Sequence, residues 1–193
     1  SARLFYLIAQ DPDLPDELDV GYSVLVDKDH MTDVLKAPSY RAHIPRPPTQ
    51  AAYQTLIENV LHEATYVAKH LWRGDLMPAK YNLDYAIKHR SLRRMLEWRM
   101  EIDLDWSAKP GAYGKALNRR LAPELWAALK RTYVGAATEE NWEALFGTLA
   151  LLREVAIEVG DHLGLEYPYD LDGRVNTYLQ RVRDLDSQAE AFD

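Results

Sequence analysis

Cysteine is absent from all 193 residues. Disulfides, zinc ribbons and thiol nucleophiles are thereby excluded, and a reducing cytosol suits the chain. No apolar run approaches the ~20 residues of a membrane span. The N-terminus has no basic stretch followed by an apolar core, so it does not read as a signal peptide, and a cytoplasmic location is the expectation. Long charged or low-complexity runs are missing, which speaks against disorder. Basic charge is in short supply. Lys and Arg number 23 against 30 Asp and Glu, for a net charge of −7. Neutralising phosphates needs a basic surface, so nucleic acid is not an expected partner. An acidic chain suits a cationic small molecule, although the same charge also serves plain solubility.

Several catalytic signatures are missing too. There is no G-x-x-x-x-G-K-[ST] loop, no G-x-G-x-x-G after a strand and no H-E-x-x-H pair. The six histidines are His30, His43, His62, His70, His89 and His162. His62 and His70 lie eight apart, too far for a two-ligand clasp on one helix. An Arg-to-His spacing of the helical HEPN ribonucleases is not matched either, since Arg153 to His162 is too long and Arg41 to His43 too short. No internal repeat is visible.

What is present is a chain that is 47% hydrophobic, enough to build a core. Residues 4–9 (LFYLIA) and 20–26 (VGYSVLV) read as two strands, joined by a Pro- and Asp-rich connection. Two strands make a marginal sheet, so further strands are expected from elsewhere, a second copy of the chain in a homodimer being one source. Pro38, Pro45, Pro47 and Pro48 make residues 37–49 an extended linker. From Gln50 the apolar period becomes helical. Tyr53, Leu56, Ile57, Val60, Leu61, Ala64, Val67, Ala68 and Leu71 mark one face, and Gly74 a stop. A second helix is expected over 76–100, with Pro78 in its first turn. A break follows at Pro110, Gly111 and Gly114, then a short helix at 115–121 and another opened by Pro123. Thr138 reads as the N-cap of the strongest helix, whose inward face includes Trp142, Leu145, Phe146, Leu149, Leu152, Val155 and Val159. After Pro168 a last helix presents Val175, Tyr178, Leu179, Val182 and Leu185. The expectation is mainly α: a bundle of five to six helices over 50–186, a two-strand unit over 1–36, and a tail at 187–193.

Polar residues on these helices suggest a binding role. Lys69 and Lys80 suit phosphate contacts. Glu63, Asp84, Glu97, Glu143, Glu154 and Glu158 are candidates to line an acidic cleft. Tyr66, Trp98, Trp126 and Trp142 offer rings for a sugar or cyclitol. Each has a plain alternative: tryptophans on an apolar stripe are usually core, and glutamates and lysines usually face solvent.

Three stretches carry a family signature. They are residues 58–73 (ENVLHEATYVAKHLWR) with 75–80 (DLMPAK), Leu83 and Asp84; residues 92–98 (LRRMLEW); and a set running from Leu125 and Trp126 through Thr132 and Tyr133 to 140–146 (ENWEALF), 152–155 (LREV) and 163–168 (LGLEYP). With Gly114, Lys115 and residues 24–29 (VLVDKD), they resemble, in collinear order over about 20–185, the C-terminal helical part of the streptomycin, or aminoglycoside 6-, adenylyltransferases. The resemblance implies an antibiotic-resistance transferase that moves AMP from ATP to a drug hydroxyl with Mg²⁺. It implies that Lys69 and Lys80 face the nucleotide, and that Tyr66, Asp84, Trp98, Trp142 and Glu143 lie near an aminoglycoside. It makes residues 1–36 a remnant of the nucleotidyltransferase domain.

The departures carry equal weight. The family's Gly-Ser motif is missing before the strands. Asp11, Pro12 and Asp13 have the letters of the paired aspartates in the wrong place, and Phe5 stands about where a third carboxylate is expected. Leu61 replaces a common aromatic residue and Glu101 a usual glycine. No catalytic residue, metal ligand or bound cofactor is therefore expected in this chain. The alternatives are a non-catalytic homologue that binds a cationic small molecule, or a helical interaction protein.

Overall fold

The computed structural model describes residues 22–28, 30, 33, 35, 37, 38, 41, 44–109 and 111–186. The chain divides into two compact units, 1–44 and 45–193. In the first, the proposed strand at 4–9 lies outside the described residues. The described part of the second, residues 22–26, is irregular, and Val24, Leu25 and Val26 are exposed. Among the described residues there is no strand. An extended segment becomes a strand only when a neighbour pairs with its N–H and C=O groups.

The second unit is a helical bundle. Helix α1 (Gln50–Arg73) begins at Thr49, whose hydroxyl accepts from the Ala52 N–H, and ends at Gly74 in the left-handed region, φ 77°. Its predicted face is buried except for Leu56, which is half-buried against the core. α2 (Leu76–Lys80), a π-helix (Tyr81–Leu92) and α3 (Arg93–Asp103) form one continuous run. The sequence predicted a plain α-helix here. Instead the middle widens to i→i−5 bonding, as where the Arg93 N–H bonds Lys88 O. α4 (Leu117–Arg120) and α5 (Pro123–Arg131) follow. α6 (Thr138–Leu163) is the longest helix and ends at Gly164, φ 69°. α7 (Tyr169–Arg183) closes the bundle. α1 packs against the π-helix, α6 and α7, and α6 against α3 and α5, so α1 and α6 carry the core.

Two local expectations need correction. Thr138 is the first residue of α6 and not its cap; Ala137 takes that position. The end is secured instead by Asn141, whose Nδ2 donates to Gly135 O at 3.0 Å and Ala137 O at 2.8 Å. Of the apolar residues expected on the last helix, Tyr178 is exposed and Leu185 lies exposed just beyond its end, and the buried face of α7 rests on Leu179 and Val182. α7 is held further by a part-buried charge pair. Arg153 of α6 grips both oxygens of Asp172, and Asn176 Nδ2 donates to Asp172 Oδ1 at 2.7 Å. The carboxylate keeps the Arg153 guanidinium charged and pushes its pKa up. Among the described residues no helix is long and apolar enough to cross a membrane.

Candidate functional site

The π-helix organises the most distinctive polar cluster of the bundle. Such wide turns are rare and often sit at functional sites. Lys80, Asp84 and Lys88 follow at intervals of four, so their side chains meet along one row. Asp84 receives both cations: Lys80 Nζ lies 2.7 Å from Oδ2 and Lys88 Nζ 2.8 Å from Oδ1. Each lysine then reaches the segment after α5. Lys80 Nζ donates to Val134 O at 3.0 Å, and Lys88 Nζ to Thr132 O. Lys88 also stands over the Tyr133 ring, 4.6 Å from its centre.

The two lysines differ in what they can do. The Lys88 side chain is 0% exposed, whereas that of Lys80 is 25% exposed. Burial pushes the Lys88 ammonium below its ordinary pKa, and the Asp84 hydrogen bond partly restores it. Its donors are all engaged within the fold, so it builds the site. Lys80 keeps a wet side and can receive an anion.

One position along the helix runs a second row, of rings. Tyr81 and Tyr85 lie 5.4 Å apart, Tyr85 and His89 5.8 Å, and His89 and Tyr113 5.7 Å. Tyr113 arrives from a short turn between Gly111 and Gly114. Sequence reading passed over this row, because it spans a π-helix and a loop. The i, i+4, i+8 spacing of Tyr81, Tyr85 and His89 was the available signal.

The other predicted residues distribute as follows. Tyr66 and Lys69 form their own pair on α1, with Lys69 Nζ 4.8 Å from the centre of the Tyr66 ring and His62 edge-on at 5.0 Å. Glu143 is exposed on α6. Trp98 and Trp142 are 6% and 4% exposed. Rings buried to that degree have no face for a ligand, so their core reading replaces the stacking one. Trp142 instead lies 6.2 Å from Phe146 within the bundle.

The acidic cleft does not assemble from the predicted set either. Glu97 is buried and held by Arg93 and Arg94, Glu158 holds Arg99, and Glu154 projects into solvent. Helical spacing sends these carboxylates to different neighbours. An open depression of about 340 Å³ does exist, lined by Ile157, Asp161, Leu165, Glu166, Tyr167 and Tyr169, none of them a predicted site residue. Among the described residues no group of three or more His, Asp or Glu is placed to hold a metal ion. Mg²⁺ therefore finds no such donor set among them.

The family model of streptomycin adenylyltransferase matches residues 8–182. The chain belongs to that family. Aminoglycoside 6-adenylyltransferase of Bacillus subtilis (strain 168) is 28% identical over 159 residues, which cover 82% of this chain and 55% of that protein. The Campylobacter jejuni protein of the same name is 27% identical over 160 residues, covering 83% and 55%. A crystal structure of an aminoglycoside 6-adenyltransferase from Bacillus subtilis matches with a TM-score of 0.67 at 27% identity, over 72% of this chain and 52% of that one. The chain thus spans about half the length of the adenylyltransferases it matches.

Proposed function

We propose that this chain supplies the substrate-binding helices of a nucleotidyltransferase that moves AMP from ATP to an aminoglycoside hydroxyl. In that reaction the hydroxyl oxygen attacks the α-phosphorus and pyrophosphate leaves. The transfer chemistry itself needs groups that these helices do not carry, so the chain by itself binds and does not transfer.

The observation that carries the reading is the row Lys80, Asp84, Lys88, anchored on Thr132 and Val134. Asp84 and the Val134 carbonyl hold Lys80 in place while its side chain stays partly exposed. A preplaced cation loses little freedom when a triphosphate arrives. Lys69, over the Tyr66 ring, is the second nucleotide contact, and Tyr66 and Glu143 are left for the drug. Asp84 serves by positioning Lys80.

The test uses ATP and inorganic triphosphate as ligands of the 193-residue chain. Either raises the melting temperature of the native protein through linkage. Lys80→Met abolishes the rise while leaving the unliganded melting temperature nearly in place. An equal rise in the variant sinks the assignment. In an enzyme carrying these helices together with a catalytic domain, Lys69→Ala weakens ATP turnover more than drug binding, and equal losses of both refute its role.

A further inference from the structure

We propose that the open hollow where α6 ends and α7 begins binds a compact organic cation, a single ring bearing ammonium or guanidinium groups. The site goes beyond the transfer reaction and does not rest on the nucleotide reading of Lys80. Asp161 of the hollow lies on α6 well beyond Glu143, about 27 Å along the helix, so a drug ring resting at Glu143 does not reach it.

Three observations carry it. The first is a preformed shape. The volume, about 340 Å³, suits one ring with its substituents. Ile157 and Leu165 are half-buried and give the lining its apolar part. The chain around them is pinned. Glu166 N–H donates to Gln50 Oε1 at 2.8 Å, and Gln50 Nε2 donates back to Glu166 O at 3.1 Å. Leu165 N–H bonds Gly160 O at 2.9 Å. The Tyr167 hydroxyl is hydrogen-bonded with Asp172 and Arg153, the pair that docks α7 on α6. A ligand therefore meets walls already in place and costs the protein little ordering.

The second is an aromatic wall with an open face. Tyr167 and Tyr169 meet edge to face, 4.9 Å between centres at 66°. Such a contact covers at most one face of either ring. Tyr167 is buried, whereas Tyr169 is 62% exposed and keeps a face for a cation.

The third is charge that the fold leaves unanswered. Asp161 and Glu166 are exposed, and among the described residues neither has an ion-pair partner. Their surroundings supply none. Over residues 138–186, Arg153, Arg174 and Arg183 are taken by Asp172, Asp170 and Glu139. Glu158 is taken by Arg99. With those pairs set aside, Arg181 faces the unpaired Glu140, Glu143, Glu154, Asp161, Glu166 and Asp184. An anion is repelled from this ground and a cation is drawn to it. Two carboxylates beside an apolar lining and an open ring match a ligand that is charged at its edge and greasy on its face.

The experiment is an NMR titration of the 193-residue chain with 2-deoxystreptamine, a diammonium cyclitol, and with myo-inositol, a neutral ring of similar size. It reads tyrosine ring signals and the carboxyl carbons of Asp and Glu, with ATP as a separate ligand for Lys80. 2-Deoxystreptamine is expected to shift Tyr169, Asp161 and Glu166, less so as salt is added. myo-Inositol is expected to leave them unmoved. Asp161→Asn and Glu166→Gln, both conservative exposed changes, each weaken the cation by about fivefold. Tyr169→Ala weakens it by a similar factor, about fivefold. All three variants bind ATP as the native chain does. If 2-deoxystreptamine binds the three variants as tightly as the native chain, the cation sits elsewhere and the proposal is overturned. It is overturned equally if myo-inositol binds as well as the diamine, or if the diamine shifts none of these signals at millimolar concentration. If ATP fails to shift Lys80 while the diamine moves Asp161 and Glu166, the nucleotide reading falls and the hollow stands.

Discussion

Lys88→Met, set against Lys80→Met, separates scaffold from ligand contact within one row. Methionine retains most of the Lys88 stem packing and removes the charge. Two hydrogen-bond partners are affected. Asp84 still has Lys80 at 2.7 Å, and its side chain is 30% exposed, so water can replace the missing ammonium. Thr132 is 3% exposed, and its carbonyl loses the Lys88 donor. An orphaned buried carbonyl costs about 1–3 kcal/mol. Removing one member of a buried charge pair often costs more, about 3–5 kcal/mol, but that figure applies when the remaining charge stays buried and alone. Here it does neither, so the carbonyl sets the loss. At roughly 2–4 °C per kcal/mol for a chain of this size, Lys88→Met lowers the melting temperature by about 2–12 °C. Lys80→Met gives up a partly hydrated pair and costs at most about 1 kcal/mol. Urea unfolding followed by tryptophan fluorescence measures both.

The same pair has a pH signature. The folded Lys88 pKa is lowered, so between that value and its ordinary 10.5 the unfolded chain binds more protons. The Lys88 contribution to stability is therefore gained as pH rises through this window and lost as pH falls through the folded pKa. Lys88→Met lacks that slope. The reasoning is refuted if Lys88→Met is as stable as the native chain, or if Lys80→Met is the more damaged of the two.

Arg153→Met leaves the nearly buried Asp172 with Asn176 and the Tyr167 hydroxyl as side-chain donors and no cation, and costs about 3–5 kcal/mol, whereas Asp172→Asn costs less because Arg153, 35% exposed, can turn to water. Urea midpoints in the reverse order would contradict this. Glu101 is fully buried, takes the Ala108 N–H at 3.1 Å and leaves Oε1 unpaired, and burial raises its pKa. Its contribution to stability is full below pH 4.5 and is lost as pH rises through the raised value; Glu101→Gln removes that slope, and an unchanged slope in a pH series of melts would refute the assignment. At Gly160 a methyl group would stand 2.9 Å from Leu165 O and 3.1 Å from the Tyr53 hydroxyl, which bonds Ala156 O at 2.7 Å. Gly160→Ala gains about 1 kcal/mol of helix propensity but loses about 1–3 kcal/mol to overpacking, so the melting temperature falls; a rise would show that the backbone yields.

Much of this protein was legible in the order of its residues. Apolar spacing located α1, α6 and the start of α7, because each must hide one stripe and period reports that stripe directly. Glycine at 74 and 164 and proline at 123 located helix ends, because backbone sterics act within a few residues. The ordered motifs from Glu58 to Pro168 identified the family without reference to any contact. Only the tertiary structure decided which polar residues meet. A carboxylate spaced for a cleft, such as Glu97, turns inward to two arginines, and tryptophans fit for stacking vanish into the core. The π-helix was invisible, since one extra residue per turn leaves little trace in hydrophobic period over twelve positions. Nothing local marks Lys88 for burial; Thr132, forty-four residues later in the chain, supplies the carbonyl that accepts its hydrogen bond. Local sequence sets where a helix starts, stops and faces; the partner of a charge is set by chain segments distant in sequence.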